Sequence, residues 1–203
     1  MFKRVCDTLK MSRSAPASYH LGLYRYWLAK RGGRHMPPRS GIDPAEIPAL
    51  LPYLGIIEKA DGELRYRLMG TSMAEQLGFD ATGAAVGSYV PAGKALRGTV
   101  ELVCSAACPV FNTGKYEFEP GIAHHSSVLL LPLSENGAAV NMVIFLRIVR
   151  FHPYGWASPG WLRNAPVKIG EPVFIRDAAH LEKLIADWEA ACAAPANPGG
   201  EGC

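Results

Sequence analysis

The chain has 203 residues, of which 49% are hydrophobic and 19% charged; that is enough apolar material for one sizeable core, which excludes global disorder and suits one domain with extensions better than two. The net charge of +3 conceals a split: residues 1–39 carry nine Lys/Arg against one acid, net +8, and the remainder carry 12 Lys/Arg against 17 acids, net −5. No apolar run approaches the roughly 20 residues a membrane-spanning helix needs.

Residues 1–17 are basic, contain no apolar segment of the kind a secretory signal has, and are expected to be a flexible N-terminus. Five scattered cysteines, Cys6, Cys104, Cys108, Cys192 and Cys203, give no disulfide framework, so a reducing cytoplasm is the expected setting, with no membrane partner. Residues 18–52 read as an N-terminal helix and a Pro-rich connector. In SYHLGLYRYWLAK, residues 18–30, Leu21, Tyr24 and Leu28 recur at i, i+3, i+7, with Leu23 and Trp27 widening the stripe, and Gly32-Gly33 ends the helix. Leu21, Tyr24, Trp27 and Leu28 are therefore the candidate homodimer contacts, with coverage of the chain's own sheet as the competitor. In the connector, Asp43-Pro44-Ala45-Glu46 has the chemistry of a helix start: a carboxylate for early amides, a proline with no amide to lose, and a glutamate reaching back. Pro48 breaks regular helix, so short successive turns are expected up to Pro52. Arg31, Arg34 and Arg39, with Asp43 and Glu46, read as a structural set that wires this connector to the domain rather than as a phosphate site.

Residues 53–150 form the domain proper. Tyr53–Glu58 and Leu64–Met69 read as strands about an Asp61-Gly62 hairpin turn. Leu64, Tyr66 and Leu68 alternate with Arg65 and Arg67, which predicts one buried face and one wet face. Thr71–Gly78 is a short helix capped by Thr71 or Ser72, and residues 93–108 a longer one. Strands follow at Tyr116–Glu119, Ser126–Leu133 and Ala138–Arg150, the last two joined at Glu135-Asn136-Gly137. In the final strand Val140, Met142, Ile144, Leu146 and Ile148 make an apolar face, and Asn141, Val143, Phe145 and Arg147 a mixed one. Residues 151–203 are a C-terminal extension with an amphipathic helix at about residues 177–192, where Leu181, Leu184, Ile185 and Trp188 recur behind Asp177, then a flexible Ala/Pro/Gly tail.

Two strands, three helical segments and three hairpin-linked strands predict an α+β fold: a five-stranded antiparallel sheet with short helices on one face, plus N-terminal and C-terminal helices. That order, and the wording LRYRLMGTSMAEQLGFDATGAAVG, resemble the PAS domain. More closely, Trp27, Arg31 to Arg34, Met36-Pro37, Arg39, Ile42 to Ile47, Pro48, Leu50 to Pro52, Arg65 to Leu68 and Gly70-Thr71 resemble a family of small, stand-alone bacterial PAS-like proteins. Members run W…RGGR.MP.R, IDP.EIP.LLP and RYRL.GT. The resemblance covers roughly residues 20–150; it implies a sensory or regulatory role and supplies no catalytic residues.

Common nucleotide, esterase and metalloprotease signatures are absent, and no nucleophile, base and oxyanion set is visible, so an enzyme is the least favoured reading. Cys104 and Cys108 lie at i, i+4 on a helix, but His124-His125 on a strand point to opposite faces, and no metal site is expected. The long helix holds no His for haem, and the cysteines lie on the wrong helix for the flavin photosensor analogy; neither cofactor is supported. Met73, Leu77, Leu96, Val100 and Met142 are aimed by helix and strand periods at one space, the candidate ligand pocket. The leading expectation is a sensory module of bacterial signal transduction that binds a small ligand or a signalling protein partner. The alternative is a regulator that uses its basic arm on nucleic acid or another polyanion. Nucleic acid is not favoured, because no long basic run or groove-entering element is present.

Overall fold

The computed structural model describes residues 16–88, 91–119, 122–151, 160–163 and 166–193. The basic N-terminus, apart from its last two residues, and the C-terminal tail lie outside the described residues. The architecture is α+β, as expected. Strands β1 (Leu54–Ala60), β2 (Glu63–Met69), β3 (Val110–Glu119), β4 (Ile122–Leu133) and β5 (Met142–Arg150) form an antiparallel sheet in the order β2-β1-β5-β4-β3. The C-terminal extension adds two short strands to it, β6 (Val167–Ile169) and β7 (Val173–Phe174), both paired with β3. The described residues also form the helices α1 (Ser18–Arg31), α2 (Thr71–Leu77), α3 (Pro91–Ala106) and α4 (Ala178–Ala193).

Because side chains alternate along a strand, the sheet has two distinct walls. Phe111, Leu129 and Leu146 stand in one row across β3, β4 and β5, with Ser127 and Ile148 in the next, and this wall meets α1 and α4. His20 of α1 shares a 2.8 Å hydrogen bond with the Ser127 hydroxyl, and the Trp27 indole donates to the Pro132 carbonyl at 2.9 Å. Asn112, Ser126, Val128, Phe145 and Arg147 belong to the opposite wall, beneath α2 and α3.

The N-terminal stripe is centred differently from the sequence reading. His20, Leu23, Tyr24 and Trp27 are the buried residues of α1, while Leu21 and Leu28 are half-buried flanks packed on the core. Hydropathy places His20 outside the stripe; the Ser127 hydroxyl satisfies one of its ring nitrogens and so makes its burial tolerable. Tyr24 and Trp27 are thus occupied inside the chain, and so are Leu181, Ile185 and Trp188 of α4.

The connector folds as three short 3-10 turns, Arg39–Gly41, Pro44–Glu46 and Pro48–Tyr53. Asp43 caps the second, its carboxylate accepting from the Ala45 amide at 2.9 Å. The Asp43 amide donates to the Tyr26 hydroxyl at 2.8 Å and Lys30 pairs with Glu46 at 2.7 Å, so the turn is tied to α1. Gly70 locks the other end: a Cβ there would fall 2.4, 2.5 and 2.7 Å from the carbonyl oxygens of Leu51, Pro52 and Leu54. The Gly-Thr of one signature segment and the Leu-Leu-Pro of another are therefore one packing contact.

Three local expectations need correction. Gly70 is the N-cap of α2 and no side chain caps it; Ser72 instead accepts from Gln76. Between Ile56 and Ile57 the register shifts, so these neighbours meet Leu68 and Tyr66 respectively, and Leu68 leaves Tyr66's wall to end 38% exposed. Residues 138–141 precede β5 instead of belonging to it, because the Asn136 side chain accepts from the Ala138 and Ala139 amides and holds a wider turn.

Candidate functional site

Between α2, α3 and the Phe145 wall lies a cavity of about 90 Å³. Its size depends on a glycine. A Cβ at Gly55 would stand 2.3 Å from Phe145 Cζ and 3.1 Å from the Met73 methyl, so the bare backbone of β1 lets the Phe145 ring lie flat across it. Met69, Met73 and Leu77 line one side, Leu96 and Thr99 another, and Val128, Leu130 and Phe145 the floor.

Three of the five expected pocket residues, Met73, Leu77 and Leu96, meet at this cavity; Val100 and Met142 do not line it. Val100 is fully buried in the main core, and the lining position on α3 belongs to its neighbour Thr99. Met142 shares the wall of Ile144 and Leu146, under the terminal helices. The sequence reading turned the most apolar face of β5 toward the pocket. The molecule does the reverse: two long helices cover that face, and the mixed face borders the cavity.

Polar groups on the wall are few. Asn112 donates to the Thr99 hydroxyl at 3.2 Å, and Thr99 donates to the Ala95 carbonyl at 3.0 Å, which ties α3 to β3. Tyr66 packs on Phe145 with ring centroids 6.4 Å apart, and burial pushes its phenol up to about 12 against the opposing pull of Arg147. Arg147 is the wall's one charged side chain among the described residues and is 8% exposed. Its guanidinium lies over the rings of Tyr116 at 5.3 Å and Trp161 at 5.8 Å. Sequence reasoning put Arg147 on the mixed face of the final strand and gave it no part in the pocket. The available signal was a lone arginine in the middle of MVIFLRIVR, a strand too apolar to be an edge.

The connector arginines have separate surroundings. Arg31 lies over the Trp27 ring at 5.6 Å, Arg39 donates to the Ile42 carbonyl at 3.0 Å, and Arg34 is exposed. Cys104 and Cys108 are half-buried free thiols, and burial raises the Cys104 thiol. Among the described residues no group of three or more His, Cys, Asp or Glu is placed to hold a metal ion, and no helix is long and apolar enough to cross a membrane.

A family model described as PAS domain matches residues 15–145, which span the connector, both cavity helices and the first four residues of β5, and end short of the lining residues Arg147, Leu162 and Ile169. No curated protein matches the chain.

Proposed function

Since the chain belongs to the PAS domain family, whose members are typically sensory or regulatory rather than catalytic, we propose that it works in cytoplasmic signal transduction in a bacterium. It holds a small, largely apolar molecule in the cavity and relays its presence to a protein partner. The observation that carries this reading is the cavity itself, an apolar space under α2 and α3 with a few fixed polar groups, the composition small-molecule sites favour. The polyanion alternative has less support, because two cations of the basic N-terminal segment are already paired, Arg25 with Glu182 and Lys30 with Glu46.

Native mass spectrometry of the purified protein, compared with the denatured protein, tests the proposal. The expected result is a small-molecule adduct in wild type that is missing from Leu96→Trp, whose indole fills the space between α3 and the sheet. A wild type with no adduct, and with no xenon-induced NMR shifts at Met73, Leu96 or Phe145, would rule it out.

A further inference from the structure

β5 is paired on both sides, by β1 and by β4, so Arg147 lies in the interior of the sheet. One of the terminal NH2 groups of its guanidinium is buried without a hydrogen-bond partner among the described residues. The two aromatic rings offset part of the cost of burial through their negative faces. They accept none of the directed hydrogen bonds that a guanidinium offers, and among the described residues no carboxylate lines the cavity wall. A buried cation without an anion is among the most expensive arrangements a core can hold. Arg147 is therefore prepared for an anion that the described residues do not supply.

Resting on the reading of the cavity as a ligand site, we propose that the ligand is a small monocarboxylate with an apolar body, and that Arg147 receives the carboxylate. Three features select this class. The wall carries one cation, so a monoanion is matched and a second negative charge finds no partner. The planar fork of a guanidinium suits the two oxygens of a carboxylate. The remaining surroundings, Met73, Leu96, Val128 and Phe145, are apolar and fit a hydrocarbon body. Ser126 adds a hydroxyl to the same wall, two residues along β4 from Val128, which is paired with Arg147. The volume of about 90 Å³ is below the roughly 150 Å³ of a cavity that admits benzene, so the body is short, about the size of a propyl chain.

The test uses the full chain, with butyrate as probe and 1-butanol as its neutral counterpart, titrated by NMR and by thermal melting at fixed ionic strength. Wild type is expected to bind butyrate at least about tenfold more tightly than 1-butanol, with the Arg147 Nε–H signal moving on saturation. Arg147→Met is expected to lose that preference while keeping its xenon shifts. Should Arg147→Met not fold, Arg147→Lys serves instead: it keeps the charge without the fork, and the preference shrinks several-fold. Equal binding of both probes to wild type, with Arg147 unmoved, overturns the carboxylate assignment and leaves the cavity as a ligand site. A wild type that binds neither probe, and shows no xenon shift, overturns both readings. A strong fall in melting temperature for Arg147→Met, without butyrate preference in wild type, assigns Arg147 to clamping Tyr116 and Trp161.

Discussion

His20 sits where its charged form is shut out. It is fully buried, edge-on to Phe111 at 5.4 Å and to Trp188 at 6.5 Å, and its second ring nitrogen, Nδ1, has no hydrogen-bond partner among the described residues. Burial, reinforced by the nearby positive charge of Arg150, lowers its pKa to about 3. The unfolded chain takes up this proton near pH 6.5, and the native protein only near 3, so protons favour the unfolded state between those values. This contribution to stability is full above pH 6.5 and declines on acidification, by up to about 1.4 kcal/mol per pH unit. Urea unfolding at pH 7 and pH 4.5 checks it: His20→Asn, which keeps a group able to bond Ser127, is expected to lose less stability than wild type over this interval. Equal losses would show that His20 protonates in the native state. Neither His20 nor Arg147 was legible in the sequence as a core residue, for one reason. A hydropathy pattern scores each side chain alone, whereas both are accommodated by partners far along the chain.

At the scale of elements, the sequence was legible wherever the signal was local. The helices followed their periodicity, and the turn at Asp61-Gly62 has φ of 52° and 78°, the conformation such a pair favours. What was missed depends on pairing. Residues 110–115, with Asn112 and Gly114 among them, do not look like a strand, yet they lie between β4 and the added strands β6 and β7 and are held by both. Helical period placed Met73, Leu77 and Leu96 at the cavity, whereas Val100 of α3 turns into the main core and the wall of β5 was chosen by what covers the other one. The connector allows a comparison of two kinds of constraint. Asp43→Ala removes a cap and is expected to cost about 0.5–2 kcal/mol. Gly70→Ala is expected to cost more than Asp43→Ala in the same urea titration, because the added carbon meets three backbone carbonyls that have no rotamer through which to move aside. A Gly70→Ala protein as stable as wild type would contradict that placement of residues 51–54 against Gly70.

At the scale of the whole molecule, the apolar stripes that suggested self-association are largely used up. α1 and α4 lie against each other and against one wall of the sheet, joined at their rims by Arg25 with Glu182, while Arg150 pairs with Glu189. The sheet edges are also covered. Residues 83–86 bond to Leu64 and Tyr66 along β2, and β6 and β7 flank β3, which limits strand-to-strand addition of a second copy. Sedimentation at micromolar concentrations is expected to give the mass of one 21.9 kDa chain. A dimer that persists on dilution would place the contact elsewhere, with exposed Phe174 of β7 as the first residue to substitute.

The sheet's two walls are separated by a single pleat. Ser126 borders the cavity and Ser127, the next residue, holds the histidine of α1; Arg147 borders the cavity while Leu146 and Ile148 support the terminal helices. Turning a strand about its own axis carries the side chains of both walls with it. A molecule that twists β4 or β5 from the cavity side would therefore also disturb the seating of α1 and α4. The step from the cavity wall to the wall that seats α1 and α4 is one peptide unit long.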